Sequence, residues 1–552
     1  MAPEIYAVKV WPVTVLLACT LVPSAAGLAA AVFAGANLDA LAAVLQAPGV
    51  PRAMLLSLWT GGIATILSLG LAHALVAMAV TGGWRQRLTT LSLPLLALPH
   101  LALGIGLVLV LAPSGLLMRG ISPWLSGLDM PPDWHIVRDP AGLTLIFGLV
   151  IKETCFLIMA LFAALAQVPV APRLQRAASL GYGPLKGWLV TIAPSCQQQI
   201  GLPVAAVFVY GVGNVDLALT LGPDLPPTFA VILWRWLLDP SPLIQSQAHA
   251  GTVLLLVLTL FGLLGLWAAG RACRALVSAI SVGGRRQRRV RPARIGLSGV
   301  AVIGWVVGGL AIVAIGLRSA GGLWRFPAVL PNGLSFTSWQ SSFSTALSTL
   351  PMTAGLAVMS TLVALVLVLL GAEQVRTNPL RRQQLGQWLF VPLLLPQMTF
   401  LFGVQVLLVW IGIDGTALAV TWMHLIFVLP YMWGVLAPAR AAVDPRYEQR
   451  VASLGVNRWS GWWRVTRPLL TRAMLLSCAL GASVSLSLYL PTLFAGAGRI
   501  ATAATEAAAA AGAGTLRLAA VHGILLSLGP LCAFSAAYGL GAVLYRHRKD
   551  VP

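Results

Sequence analysis

The chain has 552 residues, of which 58% are hydrophobic and 9% charged, against about 25% charged in ordinary soluble domains. That composition excludes a soluble globule, which could not hide so much apolar surface, and a disordered chain, which would be polar and charge-rich. The formal net charge is +21, but the basic residues stand in short blocks between apolar runs, so the charge marks a polytopic membrane protein and not a nucleic-acid surface.

A helix needs about 20 apolar residues to cross a hydrocarbon core of about 30 Å. Runs of that kind lie near 10–34, 54–80, 89–112, 141–166, 200–220 and 249–273 in the first half of the chain. In the second half they lie near 295–317, 349–371, 387–412, 416–439, 473–494 and 515–545. They are continuous and too long for barrel strands, so they predict an all-α polytopic membrane protein with about 12 transmembrane helices. Leu17-Ala18-Cys19 imitates a lipoprotein cleavage box, but the apolar run continues past it and reads as the first span. The six cysteines are scattered without a CxxC pair, which supports neither a disulfide framework nor a zinc cluster. Pro99, Pro396, Pro430 and Pro491 stand within or at the ends of spans and permit kinks.

Alternate loops hold 26 of the 36 Lys and Arg, in blocks such as Arg85/Arg87, Arg173–Lys186, Arg271–Arg294 and Arg440–Arg472. The opposite loops hold acids, among them Asp129, Asp133, Asp224 and Asp414. The positive-inside rule then predicts both termini in the cytoplasm. It also makes 283-GGRRQRRVRPAR-294 a cytoplasmic linker facing anionic lipid, with no nucleic-acid partner.

The two halves repeat each other. The loop 175-QRAASLGYGPLKGWLVTIAP-194 and the loop 449-QRVASLGVNRWSGWWRVTRP-468 align without a gap at an offset of 274. A weaker echo joins 94-PLLALPHLALGIG-106 to 392-PLLLPQMTFLFG-403. The division implied is a six-helix half at 1–274, an Arg-rich linker at 275–294 and a second half at 295–552. Each loop predicts a short helix, a turn at Gly181 or Gly455, and a second helix leading into the next span.

These loops resemble the EAA loop of ABC importer permeases. Two of them in one chain resemble the fused, double-length type I permeases of the thiamine and iron(III) kind. The stretches 214-NVDLALTLGPDLPPTFAVILW-234 and 488-LYLPTLFAGAGRIATAATEA-507 are similar to those of the YnjC-like group. The resemblance implies a multi-pass subunit of a bacterial inner membrane, binding two copies of an ABC ATPase and served by an extracytoplasmic solute-binding protein. Gln175, Arg176, Ala177 and Gly181, with Gln449, Arg450 and Gly455, would form the ATPase-coupling loops. The sequence departs from the family pattern in placing Gln175 and Gln449 where the family has Glu, with Glu448 one residue early in the second loop.

The chain carries no ATP site of its own, since none of its four lysines is followed by Ser or Thr as a phosphate-cradling loop requires. No zinc-protease or serine-elbow motif is present, so an enzyme, a metal and a cofactor are unsupported. Lys152 and Glu153 in the fourth span and Asp216 in the fifth are ionisable groups at membrane depth. Asn214, Asp216, Ser485, Ser487 and Tyr489 are candidates for a translocation path. For Asp216 two bland readings stand beside that one: pairing with Lys152, or capping a helix broken near Gly211 and Gly213. His73, His100, His424 and His522 read as hydrogen-bonded packing. The alternative class is an ion-coupled secondary transporter using Asp216, Glu153 and Lys152.

Overall fold

The computed structural model describes residues 11–282 and 291–544, so the centre of the Arg-rich linker and both chain ends lie outside the described residues. Among the described residues ten helices are long and apolar enough to cross a membrane, from Trp11–Gly35 to Leu516–Leu544. The bent pair Pro379–Leu394 and Gln397–Trp410 makes an eleventh if counted as one span. The chain is an all-α polytopic membrane protein, with a small antiparallel ladder of Gly321–Leu323 on Asn332–Leu334. Many large apolar side chains of the long helices, such as Phe261, Leu264 and Trp267, face outward, as lipid contact allows.

Ten or eleven spans replace the twelve expected, because the runs at 200–220 and 387–412 form no single straight span; the run at 89–112 is interrupted too, but its second part lengthens into the span His100–Ile121. The run at 89–112 divides into Arg85–Ala97 and His100–Leu111, and the run at 387–412 divides at Leu395-Pro396 with a bend of 93°. The cause is the same at both sites. A proline ring drives the preceding residue out of the helical region and brings no N–H for the helix ladder. Leu98 and Leu395 are accordingly extended, with ψ of 127° and 134°. The run at 200–220 forms only the 13-residue helix Gly201–Gly213, which stops where Asn214 turns extended. The side chain of Asn214 accepts from the backbone N–H groups of Leu217 and Ala218 at 2.9 and 3.0 Å and so starts the next short helix.

The halves interlock in space. Helix Trp11–Gly35 packs on the second-half helix Gln397–Trp410, where Gly27 and Gly403 let the two backbones touch. Helix Arg291–Ala320 packs on the first-half helix His100–Leu111, with Gly106 against the carbonyl of Ala311. Small residues at such crossings permit the close approach that drives helix association in lipid. The largest apolar cluster draws on both halves, with Phe208, Phe229, Phe400 and Phe427 among its buried members. Two smaller clusters surround Trp188 and Trp433.

A Cβ on Gly403 would run into the carbonyl oxygen of Gly27. Gly403→Val is therefore expected to force these helices apart and to cost about 1–3 kcal/mol by overpacking. Thermal unfolding of the detergent-purified chain checks it, with the exposed Gly434→Ala as a silent control.

Candidate functional site: two matched loops and a cavity between the halves

The first loop begins with helix Val170–Ser179 and ends it in a glycine cap. Gly181 has φ +80°, its N–H donates to Ala178 O at 2.9 Å, and the Tyr182 N–H donates to Ala177 O at 3.0 Å. The second loop repeats the pattern on helix Pro445–Ser453, with Gly455 at φ +72° and the matching bonds to Ala452 O and Val451 O. A side chain at either glycine would meet the left-handed penalty of roughly 1–2 kcal/mol. The short helices Pro184–Gly187 and Arg458–Gly461 then fold back on the first. Here the repeated Gly of the Gly-Trp pair has its reason. A Cβ on Gly187 would lie 3.1 Å from the Ala177 side chain, and one on Gly461 2.9 Å from that of Val451, at matching positions of the repeat.

Gln175, Arg176, Gln449 and Arg450 are exposed, and Ala177 is buried against the second short helix. Each loop continues through one π-helical turn, Trp188–Ile192 or Trp462–Thr466, directly into the helices that follow. The second loop thus joins Arg467–Ser487 without a break, whereas the first passes through Ala193–Gln199 and a bend at Ile200 before Gly201–Gly213.

Between the halves lies a cavity of about 300 Å³. Both proline breaks open onto it, Pro99 from the first half and Pro396 from the second. Lys152, Glu153 and Asp216 all line it, yet the structure does not join them. The ammonium of Lys152 donates to the carbonyls of Leu95 and Leu96 at 3.0 and 2.6 Å, and to that of Leu98. Those are the carbonyls that the Pro99 break leaves without helical partners. Glu153 Oε1 meets His100 Nε2 at 3.2 Å, and the His100 ring lies 4.6 Å from that of Tyr210.

Asp216 has no ion pair or hydrogen bond among the described residues, and its Oδ1 is buried. Neither bland reading of it holds, since Lys152 is taken up by carbonyls and the cap is supplied by Asn214. Ser487 also lines the cavity; Asn214, Ser485 and Tyr489 do not. Ser485 belongs to a packed network in which His424 Nδ1 lies 2.7 Å from its hydroxyl and Ser360 donates to it at 3.0 Å.

No protein-family model matches the chain. Over 532 residues it is 30% identical to the inner membrane ABC transporter permease protein YnjC of Escherichia coli (strain K12), covering 95% of this chain and 94% of that protein. The chain belongs to the ABC transporter permease family.

In this permease the two loops share a geometry but not a support. Glu448 of the second loop points inward, where Arg376 and Arg440 donate to it, the latter at 2.5 Å. Glu373 completes the cluster with Arg440 at 2.7 Å and Arg458 at 3.2 Å. At the corresponding positions of the first loop stand Leu174 for Glu448, Ala166 for Arg440 and Ile192 for Thr466, and that loop rests on the apolar cluster around Trp188. Glu373, Arg376 and Arg440 were not singled out from the sequence. Glu373 and Arg376 close one helix and Arg440 closes another, so only packing brings them together. His100 was noted, but its pairing with Glu153 crosses a broken span and left no sequence signal.

Burial pushes the Glu448 carboxyl up, but the hydrogen bonds and charges of Arg376 and Arg440 outweigh it and hold the group below its usual value of 4.5. A lowered folded value means that the stabilisation is complete above about pH 4.5 and is lost as the pH falls through that lower value. Thermal stability of the permease should therefore fall below that pH. Glu448→Gln is expected to be less stable at neutral pH by about 1–2 kcal/mol, after allowing for partial exposure, and to show a shallower acid decline. For the broken helix, Lys152→Met strands three carbonyls and should destabilise the permease by about 2–3 kcal/mol, measured by thermal unfolding.

Proposed function

We propose that the chain is the membrane-spanning subunit of an ATP-driven importer in a bacterial inner membrane. It is built as two related halves fused in one chain, and its two EAA-like loops each seat in one of two ATPase subunits. A separate extracytoplasmic binding protein delivers a small solute to it. The observation that carries this reading is the pair of exposed helix–glycine–helix loops in matched conformation at an offset of 274.

Their continuity with the spans supplies the mechanism. The second loop runs through its π turn into Arg467–Ser487, and the first runs through its π turn and the short helix Ala193–Gln199 to Gly201–Gly213; both end helices wall the cavity. Closure of two ATPases on ATP moves the loops together, and the rigid joint carries that motion to the cavity walls. The interlocked first helices keep the halves joined while they rock. The ion-coupled alternative keeps only Asp216 of its three residues, because Lys152 is committed to carbonyls and Glu153 to His100.

The test is a mild-detergent pull-down of the tagged chain from its own membranes, with co-purifying proteins identified by mass. An ABC ATPase at two copies per chain is expected. Gly181→Val with Gly455→Val should lose the ATPase and uptake while membrane insertion stays normal. Recovery of the chain alone, also after cross-linking in intact cells, overturns the reading.

A further inference from the structure

The cavity has an unbalanced charge. Lys152 and Glu153 contribute one charge of each sign, and each already has its own partners. Asp216 adds a carboxyl that nothing in the described protein neutralises. An uncompensated acid in a low-dielectric interior is costly, and such groups in membrane proteins face a partner or a pathway. A second polar group points the same way: Ser483 lines the cavity, is 7% exposed, and its hydroxyl has no hydrogen-bond partner among the described residues.

The rest of the wall is apolar and aromatic. Phe156, Tyr210, Phe427 and Tyr431 border the cavity, and aromatic faces attract organic cations. Bare multivalent metal ions are a poor match, because they need several oxygen ligands, and no group of three or more His, Cys, Asp or Glu gathers among the described residues. The volume of about 300 Å³ lies at the small end of small-molecule sites. A groove of about 850 Å³, with Arg85, Gln86, Thr89 and Ser535 among its lining residues, shares Ala97 and Phe534 with the cavity.

We propose that this cavity is a binding site for a small organic monocation, with Asp216 as the counter-charge, Ser483 as a hydrogen-bonding group and the aromatic side chains as the bed for its apolar body. The proposal rests on the transport reading only in making that cation a solute in passage.

The test uses two small probes with the same reactive group, the methanethiosulfonates carrying a trimethylammonium and a sulfonate. They are applied to the detergent-purified full chain with Ser483→Cys, and the parent chain serves as the blank for its native cysteines. Rates are divided by each reagent's rate with free cysteine. The cationic probe is expected to react about tenfold or more faster than the anionic one. Adding Asp216→Asn should bring the ratio to within about threefold of unity, and Asp216→Glu should keep the preference. If the Ser483→Cys chain does not elute as the parent does, Ser487→Cys replaces it, since that side chain also lines the cavity.

Equal rates, a preference for the anion, a preference unchanged by Asp216→Asn, or no reaction at either position each overturns the proposal. The measurement needs no ATPase and no ATP. Absence of an ATPase partner would overturn the importer reading and leave the site standing, whereas loss of the charge preference would remove the site and leave the importer.

Discussion

A backbone that leaves its helix inside a membrane must still satisfy its polar groups, and lipid offers nothing to satisfy them with. The two proline breaks make that constraint acute, because both fall in apolar runs at the centre of the molecule. At Pro99 the freed carbonyls are met by the ammonium of Lys152, which is buried for that purpose. At Pro396 the chain tightens instead into the 3-10 turn Val391–Leu394 before it bends. Both solutions require surrounding protein. The breaks therefore sit between the halves, and the cavity forms where two helices that would have filled the space turn away from it.

The two matched loops combine one backbone conformation with unequal chemistry beneath it. The loops keep their left-handed glycines and their tight glycine contacts, since these fix the backbone. The support beneath them is free to differ. Under the second loop, acids and arginines form a cluster; under the first, Leu174 and Ile192 join an apolar core. In the spans, Ile426 and Phe427 stand 274 positions beyond Lys152 and Glu153. The charged side chains that line the cavity, Lys152, Glu153 and Asp216, thus all come from its first-half side.

Much of the site was legible before any coordinates. The loops showed themselves as repeated residues at constant spacing, and the glycines that terminate their first helices follow from local rules that need no tertiary context. The proline echo at Pro99 and Pro396 was visible too, but whether a proline kinks a membrane helix or breaks it depends on what surrounds the freed carbonyls. That is why the runs at 89–112 and 387–412 read as continuous spans; the run at 200–220 ends instead at Asn214. Lys152 illustrates the same limit. Its burial was evident from hydropathy, while its partners lie more than fifty residues earlier, in backbone atoms that carry no side-chain signature.

The sequence by itself determined the solvent, the helical class and the two repeated loops, because composition and short-range spacing act locally along the chain. Only the tertiary structure decided that the first helix of each half packs on the other. It alone decided that Glu448 turns inward to Arg376 and Arg440, and that Asp216 is left without a partner beside a cavity. Those outcomes rest on contacts between segments far apart in the chain. In a low-dielectric interior, which charges meet and which stay unmatched is set by packing geometry, and residue identity alone does not fix it.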